Sequence, residues 1–348
     1  MVAPPGSLAA PSGARGLVDD DEASSWEQEH EWREMAVGAA LHGARLDRML
    51  VGMAPEFSRS YLQTLVEGGH VTVDGAVRQQ SSRKLTAGQV VVVDLVPTPE
   101  SRAFQPEAMP LAIVHVDEHL MVIDKPAGLV VHPAAGHWTG TLLNGLLAHH
   151  PQAASLPRAG IVHRLDKDTS GLMVVARSLQ AATVLVRQIA AREVHREYLA
   201  LAHGRVGEEP FTVDAPVGRD PKSRVRMAVV ATGKPARTDV RRLAVCEVDE
   251  DGKRASVSAV ACTLHTGRTH QIRVHMAHRS HPLVGDVLYG GRPMMGLARQ
   301  ALHAHRLAFT HPVTGAPMSF VAEPPPDFAR AFARVEGVSG EVGKASIQ

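Results

Sequence analysis

The chain has 348 residues, of which 44% are hydrophobic, and this length is enough for about two folded units with a sizeable core. No segment approaches the ~20 consecutive apolar residues of a membrane helix, and the first residues lack the apolar stretch of a secretory signal. We therefore expect a soluble, cytoplasmic protein with no membrane partner. The two cysteines have no Cys-x-x-Cys spacing, which argues against a disulfide framework or a structural zinc site.

The net charge of +1 is distributed unevenly along the chain. Residues 1–35 hold eight acidic residues and two arginines, a net charge of −6, so the remainder carries +7. A basic body suits a polyanionic partner, because phosphate contacts by Lys and Arg release counterions and supply affinity. A solvated surface of mixed charge is an equally compatible interpretation of the charge alone.

Composition predicts where the folded units begin and end. Residues 1–37 are rich in Pro, Gly, Ala and Ser and then acidic, which predicts a disordered tail. A small unit follows at 42–96, and the four prolines of 97–110 predict a linker. We expect the larger domain at 111–330 and a C-terminal tail at 331–348.

The small unit begins with two predicted helices. Helical spacing of apolar residues from Leu46 to Met53 predicts the first, and Ser58 or Ser60 can cap the second. A short hairpin with the turn Asp74-Gly75 follows, and Val90 to Leu95 predicts another strand. The basic residues on or beside these elements are Arg45, Arg48, Arg59, Arg78, Arg83 and Lys84.

The larger domain mixes strand and helix patterns without regular alternation. Extended patterns are found at Leu111 to Val116, Leu120 to Ile123, Leu129 to Val131, Leu172 to Ala176, Tyr198 to His203 and Ser256 to His265, and helical spacing at Thr141 to His149 and Ser178 to Ala191. The domain also lacks the Gly-rich phosphate loop of a nucleotide-binding doubly wound sheet. The predicted fold class is therefore α+β, with a mixed, mainly antiparallel sheet.

A dense polar segment comes directly before the predicted strand at Leu172. It contains Arg164, Asp166 and Asp168 among turn-forming residues. A strand fixes one end of this loop, so a carboxylate held there is aimed more reproducibly than one on a free turn. Asp166 is the candidate for the chemistry, although a lone aspartate in a polar turn is more often an Asx-turn or a helix cap.

Three other interpretations of these polar segments fit poorly. An EF-hand loop starting at Asp166 would need a Glu at its twelfth position, where Arg177 stands. An aspartic protease needs a second copy of the Asp-Thr-Ser-Gly loop, and the chain contains one. His270 and His275 do not have the i, i+4 spacing of a helical zinc pair, so we expect no metal.

A second polar segment supplies partners for Asp166. Thr269 can cap a helix that begins near His270, which places Arg273 close to the first turn. Arg273 could then pair with a carboxylate such as Asp166, keep it ionised and orient it through a bidentate contact. Nucleophilic attack or proton abstraction requires an ionised, oriented carboxylate.

Two sets of ordered segments carry a resemblance to known families. In the small unit they are Arg45-Leu46-Asp47, Ser58-Arg59-Ser60 and Val71 to Gly75. In the larger domain they are Lys125 to Gly128, His132-Pro133, His163 to Gly171, Arg196-Glu197-Tyr198, Gly233 to Thr238, Gly267 to His275, Leu302 to Ala304 and His311-Pro312. The small unit resembles the S-four-type RNA-binding domain. The larger domain resembles the RluA family of pseudouridine synthases, and especially its ribosomal large-subunit synthase D branch.

The RluA resemblance implies an isomerase that converts uridine to pseudouridine in structured RNA without a cofactor. It implies that Asp166 is catalytic, that Tyr198 packs on the target base, and that Arg273 pairs with the aspartate. Arg164 would take the space of the extruded uridine. The resemblance of the small unit implies RNA binding, for which the candidate residues are Arg45, Arg48, Arg59, Arg78 and Lys84.

By the same resemblance the expected partner is large-subunit 23S ribosomal RNA or a pre-ribosomal particle, bound by a monomer. Two alternatives stay open at this point. One is the same enzyme class acting on transfer RNA, and the other is a noncatalytic RNA-binding assembly factor that keeps the fold.

Overall fold

The computed structural model describes residues 31–96, 103–134, 137–223, 225–250 and 252–338. The chain divides into two compact units, the first ending at Thr98 and the second beginning at Pro99, a boundary inside the predicted linker. The predicted N-terminal tail lies outside the described residues as far as residue 30. None of the helices in the described ranges is both long and apolar enough to cross a membrane.

The elements in the described part of the first unit are β1 (Glu31–Ala36), α1 (Leu46–Met53), α2 (Arg59–Glu67), β2 (Val71–Val73), β3 (Ala76–Val77) and β4 (Val90–Leu95). These four strands form an antiparallel sheet of order β1-β4-β2-β3. Leu46, Met49 and Leu50 form the buried face of α1, as their spacing predicts. The Ser58 side chain accepts a hydrogen bond from the backbone N–H of Tyr61 and caps α2.

The strand β1 corrects the predicted boundary of the disordered tail, which extended to residue 37. Residues Glu31 to Ala36 pair with β4 along six positions of an antiparallel register. Most side chains of β1 are exposed, so their acidic and polar composition does not oppose an edge strand. The backbone of β4 supplies the hydrogen bonds, and this partner cannot be recognised from the local composition of residues 31–36.

The second unit is built around one large sheet. Its strands are β5 (Ala112–Val116), β6 (Leu120–Lys125), β7 (Ser170–Ala176), β8 (His195–His203), β9 (Phe211–Asp214), β10 (Val217–Arg219), β11 (Met227–Val229), β12 (Arg237–Glu250), β13 (Lys253–Leu264), β14 (Leu302–Thr310) and β15 (Pro317–Val321). Its helices are α3 (Leu142–His149), α4 (Leu179–Ala191), α5 (Gln271–His278) and α6 (Pro326–Val338).

In the described part of this unit, nine strands share the sheet, in the order β5-β6-β7-β14-β8-β13-β12-β9 with β15 beside β14. The β7–β14 pair is parallel and the other neighbours are antiparallel. Strands β10 and β11 form a separate hairpin. The predicted α+β class with a mixed, mainly antiparallel sheet is confirmed.

Two predicted boundaries of the larger domain need correction. The C-terminal tail was predicted from residue 331, but α6 continues to Val338 because Phe328, Phe332 and Val335 form an apolar face that is buried against the sheet. The predicted linker also ends earlier than residue 110. The carbonyl groups of Ala103 and Gln105 accept hydrogen bonds from the buried side-chain amide of Asn144 in α3.

The strand predicted at Leu129 to Val131 is also wrong. The carbonyl of Leu129 accepts a hydrogen bond from the Lys125 ammonium, and those of Val130 and Val131 accept from backbone N–H groups in the first turn of α3. These bonds satisfy the carbonyls without a neighbouring strand. The apolar run therefore forms a partly buried loop beside the next helix.

Candidate active site

The polar loop at residues 163–169 enters the sheet where β7 begins, between β6 and β14. Gly171 has a φ of +113°, and a Cβ atom there would lie 2.3 Å from the Ala304 carbonyl oxygen, so this position requires glycine. The neighbouring Ser170 places its hydroxyl 3.0 Å from Nδ1 of His303 on β14. The close approach of two strands thus fixes the end of the loop that carries Asp166.

Asp166 lies against Arg273 of α5, as the sequence suggested, but through one hydrogen bond and not through the expected bidentate contact. Nη1 of Arg273 donates to Oδ2 of Asp166 at 3.0 Å. The same guanidinium binds Asp286 through Nε and Nη2 at 2.7 and 2.9 Å, and the Asp286 side chain is 1% exposed. Arg273 therefore joins two carboxylates, and one oxygen of Asp166 is left for other contacts.

That second oxygen, Oδ1 of Asp166, faces the ring of His270 at 4.0 Å from Nε2. The Tyr289 hydroxyl accepts a hydrogen bond from the Met227 N–H at 2.9 Å and lies 2.7 Å from Nδ1 of His270. Donation of the hydroxyl proton to Nδ1 would place the imidazole proton on Nε2. Burial lowers the pKa of His270, and in this tautomer the neutral ring would present an N–H toward Asp166.

Helix α5 begins next to His270, as predicted, but its predicted cap needs correction. The N-cap is His270, in a left-handed conformation with φ of +57°, and no side chain caps the helix there. The turn before α5 is held instead by Gln271, whose Oε1 accepts from Thr266 and from the N–H of Arg268. Thr269, the predicted cap, is not used in this way. A left-handed conformation in a non-glycine residue is common at functional sites.

Lys125 helps to fix the loop that carries Asp166 by hydrogen bonding to backbone carbonyl groups. It is 1% exposed, and its ammonium donates to the carbonyls of Pro126, Leu129 and Lys167 at 2.8 to 2.9 Å. Burial lowers the pKa of Lys125 to about 8, although Asp168 and Asp166 oppose this shift. The bond to Lys167 connects the end of β6 to the residue that follows Asp166.

A cleft of about 540 Å³ opens over these groups and brings together all four residues singled out for catalysis and substrate positioning, Arg164, Asp166, Tyr198 and Arg273. Tyr198 lies on β8, is 5% exposed and has neighbours on β13 and β14. Burial raises its pKa to about 12, so the phenol is neutral. A second cavity of about 450 Å³ also contains Arg164, Asp166, His270 and Arg273 in its wall.

In the first unit, two of the candidate RNA-binding residues converge on one carboxylate. Asp47 is fully buried and accepts hydrogen bonds from Arg45, Arg59 and Gln63. The bond from Arg45 contributes most to keeping the pKa of Asp47 well below its usual range, and burial opposes it. Nearby, Lys84 pairs with Arg45 through the backbone. The structure does not join Arg48 or Arg78 to this cluster.

Comparison with known proteins matches both units to described families. The model of the RNA pseudouridylate synthase family matches residues 119–278, and that of the S4 domain matches residues 44–91. The chain is 47% identical to ribosomal large subunit pseudouridine synthase D of Neisseria meningitidis serogroup B, over 89% of this chain and 83% of that protein. The chain belongs to the RNA pseudouridylate synthase family.

Other relatives agree with this assignment. The proteins of the same name from Nitrosomonas europaea and Escherichia coli O6:H1 are each 45% identical to this chain, over 89% and 82% of its length and 90% and 88% of theirs. The solved structure of human RNA pseudouridylate synthase domain containing 1 aligns with a TM-score of 0.50 and 28% identity, over 68% of this chain and 89% of that one. The predicted enzyme class and the RNA-binding small domain are confirmed.

Sequence reasoning missed several members of this pseudouridine synthase site. Asp286, His270 and Tyr289 contact the Asp166–Arg273 pair or its neighbours, and Lys125 anchors the loop. The sequence contained one usable signal, a lysine at the end of the apolar run Leu120 to Ile123 and before Pro126. Asp286 and Tyr289 had no such signal, because their partners lie far away in the sequence.

Proposed function

We propose that this pseudouridine synthase modifies uridines of large-subunit 23S ribosomal RNA, in the free RNA or in a pre-ribosomal particle, and that Asp166 is its catalytic residue. The names of the relatives, ribosomal large subunit pseudouridine synthase D, support this substrate. The observation that carries the role of Asp166 is its position in the cleft, with one oxygen held by Arg273 and the other facing His270.

The reaction needs no oxidant, reductant or phosphoryl donor. The bond between N1 and C1′ breaks, the uracil turns, a bond forms between C5 and C1′, and the proton of C5 is lost while N1 gains one. A carboxylate that is ionised and fixed can act on the nucleotide as a nucleophile or as a base. Oδ1 of Asp166 is the oxygen placed for this role, because Oδ2 is bonded to Arg273.

The uridine must leave its stack to reach this aspartate. Extrusion costs a few kcal/mol, which stacking and phosphate contacts offset. In our proposal Tyr198 supplies an aromatic face for the uracil, and Arg164 takes the space that the base vacates. Both side chains lie in the wall of the cleft. In this proposal the enzyme acts as a monomer in the cytoplasm, where bacterial ribosomes are assembled.

The S4 domain contributes affinity in this proposal. Arg45 and Arg59 are fixed by Asp47 while their side chains stay 48% and 59% exposed, so both guanidinium groups can also meet phosphates. Arg48 and Lys84 are exposed and Arg78 is half-buried. These five residues are the proposed contacts of this domain with the RNA backbone.

Tritium release from ribosomal RNA that carries tritium at C5 of uridine tests the proposal. We expect Asp166→Asn to abolish release and the matched variant Asp168→Asn, in the same loop, to retain most of it. Normal release by Asp166→Asn would remove the catalytic role. Labelled transfer RNA in a parallel assay identifies the substrate class, and mapping of pseudouridines in RNA from a deletion strain identifies the modified positions.

A further inference from the structure

A second buried arginine lies in the cleft, two residues before Tyr198 on β8. Arg196 is 5% exposed, and its Nε atom is buried without a hydrogen-bond partner. Within the described residues its guanidinium pairs with no acidic side chain. Arg273, in the wall of the same cleft, has two carboxylates as partners. The protein therefore neutralises one of these two buried cations and leaves the other without a counter-charge.

Two identified neighbours of Arg196, Gly267 and His163, carry no negative charge. Nη1 lies against the backbone at Gly267, where a Cβ atom would approach it to 2.9 Å, so glycine leaves room for the guanidinium. His163 accepts a hydrogen bond from the Val174 N–H, and burial together with Arg196 lowers the pKa of this histidine to about 3. Asp166, which Arg273 holds, is the acidic residue in the wall of this cleft, and the further arginines there are Arg158, Arg164, Arg192 and Arg268.

An unpaired buried charge destabilises a folded protein unless a ligand completes it. The ligand must supply hydrogen-bond acceptors, because a guanidinium has five donors and no acceptor, and only an anion also compensates its charge. The uracil and the ribose of a bound uridine are neutral, whereas each nucleotide linkage carries a negative charge whose two free oxygens match the planar fork of an arginine.

We propose that Arg196 is the binding site for a phosphodiester group of the RNA strand, adjoining the nucleotide that enters the cleft. The inference rests on the proposed RNA substrate and adds a defined contact to it. Because the site is already formed in the free protein, it orders the strand at the cleft without waiting for a conformational change. The free protein carries the unpaired cation as a cost to its stability.

Replacing Arg196 by an apolar residue distinguishes a role in phosphate binding from a purely structural role. We expect Arg196→Met to raise the melting temperature by a few degrees, because an unpaired buried charge is replaced by an apolar side chain. The same variant should weaken binding of a large-subunit RNA fragment about tenfold. It should also lower the slope of log affinity against log salt by about 0.7 to 0.9, the value for one lost phosphate contact.

Two variants serve as controls. Arg330→Met removes the same charge from an exposed position on α6, outside the cleft wall, and should change neither the melting temperature nor the affinity appreciably. Arg196→Lys keeps the charge without the planar fork and should bind RNA with intermediate affinity. A lower melting temperature for Arg196→Met with unchanged RNA affinity, or a loss of affinity no larger than that of Arg330→Met, would overturn the inference.

The two proposals fail in different ways. If the wild-type protein binds the RNA through Arg196 but releases no tritium from it, the proposed isomerisation is wrong and the phosphate site stands. If the wild-type protein releases tritium and Arg196→Met binds RNA as tightly as the wild type, the phosphate site is wrong and the isomerisation stands. Absence of RNA binding by the wild-type protein would overturn both.

Discussion

Arg273 and Asp286 form a bidentate ion pair next to the proposed catalytic residue: Nε and Nη2 of the arginine lie 2.7 and 2.9 Å from the two carboxylate oxygens. This pair leaves Nη1 to hold Asp166. Planar pairing of this kind fixes the orientation of a guanidinium as well as its position. The orientation of Asp166 thus depends on a residue that the RNA need not touch.

We therefore expect Asp286→Asn to lower kcat for tritium release by about 10- to 100-fold, because outer contacts that orient a reacting group have effects of this size. The affinity for RNA should stay within about threefold of the wild type, since Asp286 is buried. Kinetics at saturating RNA and a binding assay check both numbers. An unchanged kcat would show that Arg273 holds Asp166 without this support.

The pKa of Lys125 predicts a pH-dependent stability. Its value of about 8 in the folded protein lies below the usual 10.5, so between these values the unfolded chain binds more protons. Stability must then rise with pH over this interval, on the order of 3 kcal/mol at full effect. Denaturant unfolding between pH 7.5 and 10.5 should show this rise in the wild type and its loss in Lys125→Met. Parallel curves for the two proteins would contradict the shift.

The contact between Tyr289 and His270 predicts the tautomer of the imidazole. We expect nitrogen NMR shifts of the wild type at pH 7 to show a protonated Nε2 and an unprotonated Nδ1, the tautomer in which the Tyr289 hydroxyl donates to Nδ1. A protonated Nδ1 in the wild type would exclude this arrangement.

The variant Tyr289→Phe should raise the pKa of His270, because Nδ1 loses the donor that favours its unprotonated form. An imidazolium ring would then compete for Oδ1 of Asp166, so turnover at pH 6 relative to pH 8 should fall, by about tenfold. His270→Gln keeps a donor near the Nε2 position and serves as the comparison. Equal pH profiles of Tyr289→Phe and the wild type would count against a role for the tautomer.

The Asp47 cluster predicts separate effects on stability and RNA binding. Asp47→Asn replaces a buried carboxylate that holds Arg45 and Arg59, so we expect the melting temperature to fall by several degrees and RNA affinity to weaken as well. Arg48→Gln removes an exposed cation, so it should leave the melting temperature unchanged while it weakens RNA binding and lowers the salt dependence of binding by about one charge. Thermal unfolding and binding at several salt concentrations distinguish the two variants.

Local sequence patterns were sufficient to predict most of the secondary-structure elements of the chain. Apolar spacing and a serine cap predicted α1 and α2, because each helix depends on its own face and its own first turn. The polar loop before β7 was recognisable for the same reason. The motifs of both families supplied the enzyme class and four of the residues in the cleft wall, Arg164, Asp166, Tyr198 and Arg273.

Contacts between distant residues decided the rest. The strand β1 exists because β4 offers a free edge, and the segment 129–131 is a loop because α3 and Lys125 bond its carbonyls. Asp286 becomes a support of Asp166 only through Arg273, and Arg196 is recognisable as an unpaired cation only once its neighbours are known. A sequence pattern contains the periodicity and the chemistry of each residue. Burial and pairing depend on which other residues the folded chain places next to that residue.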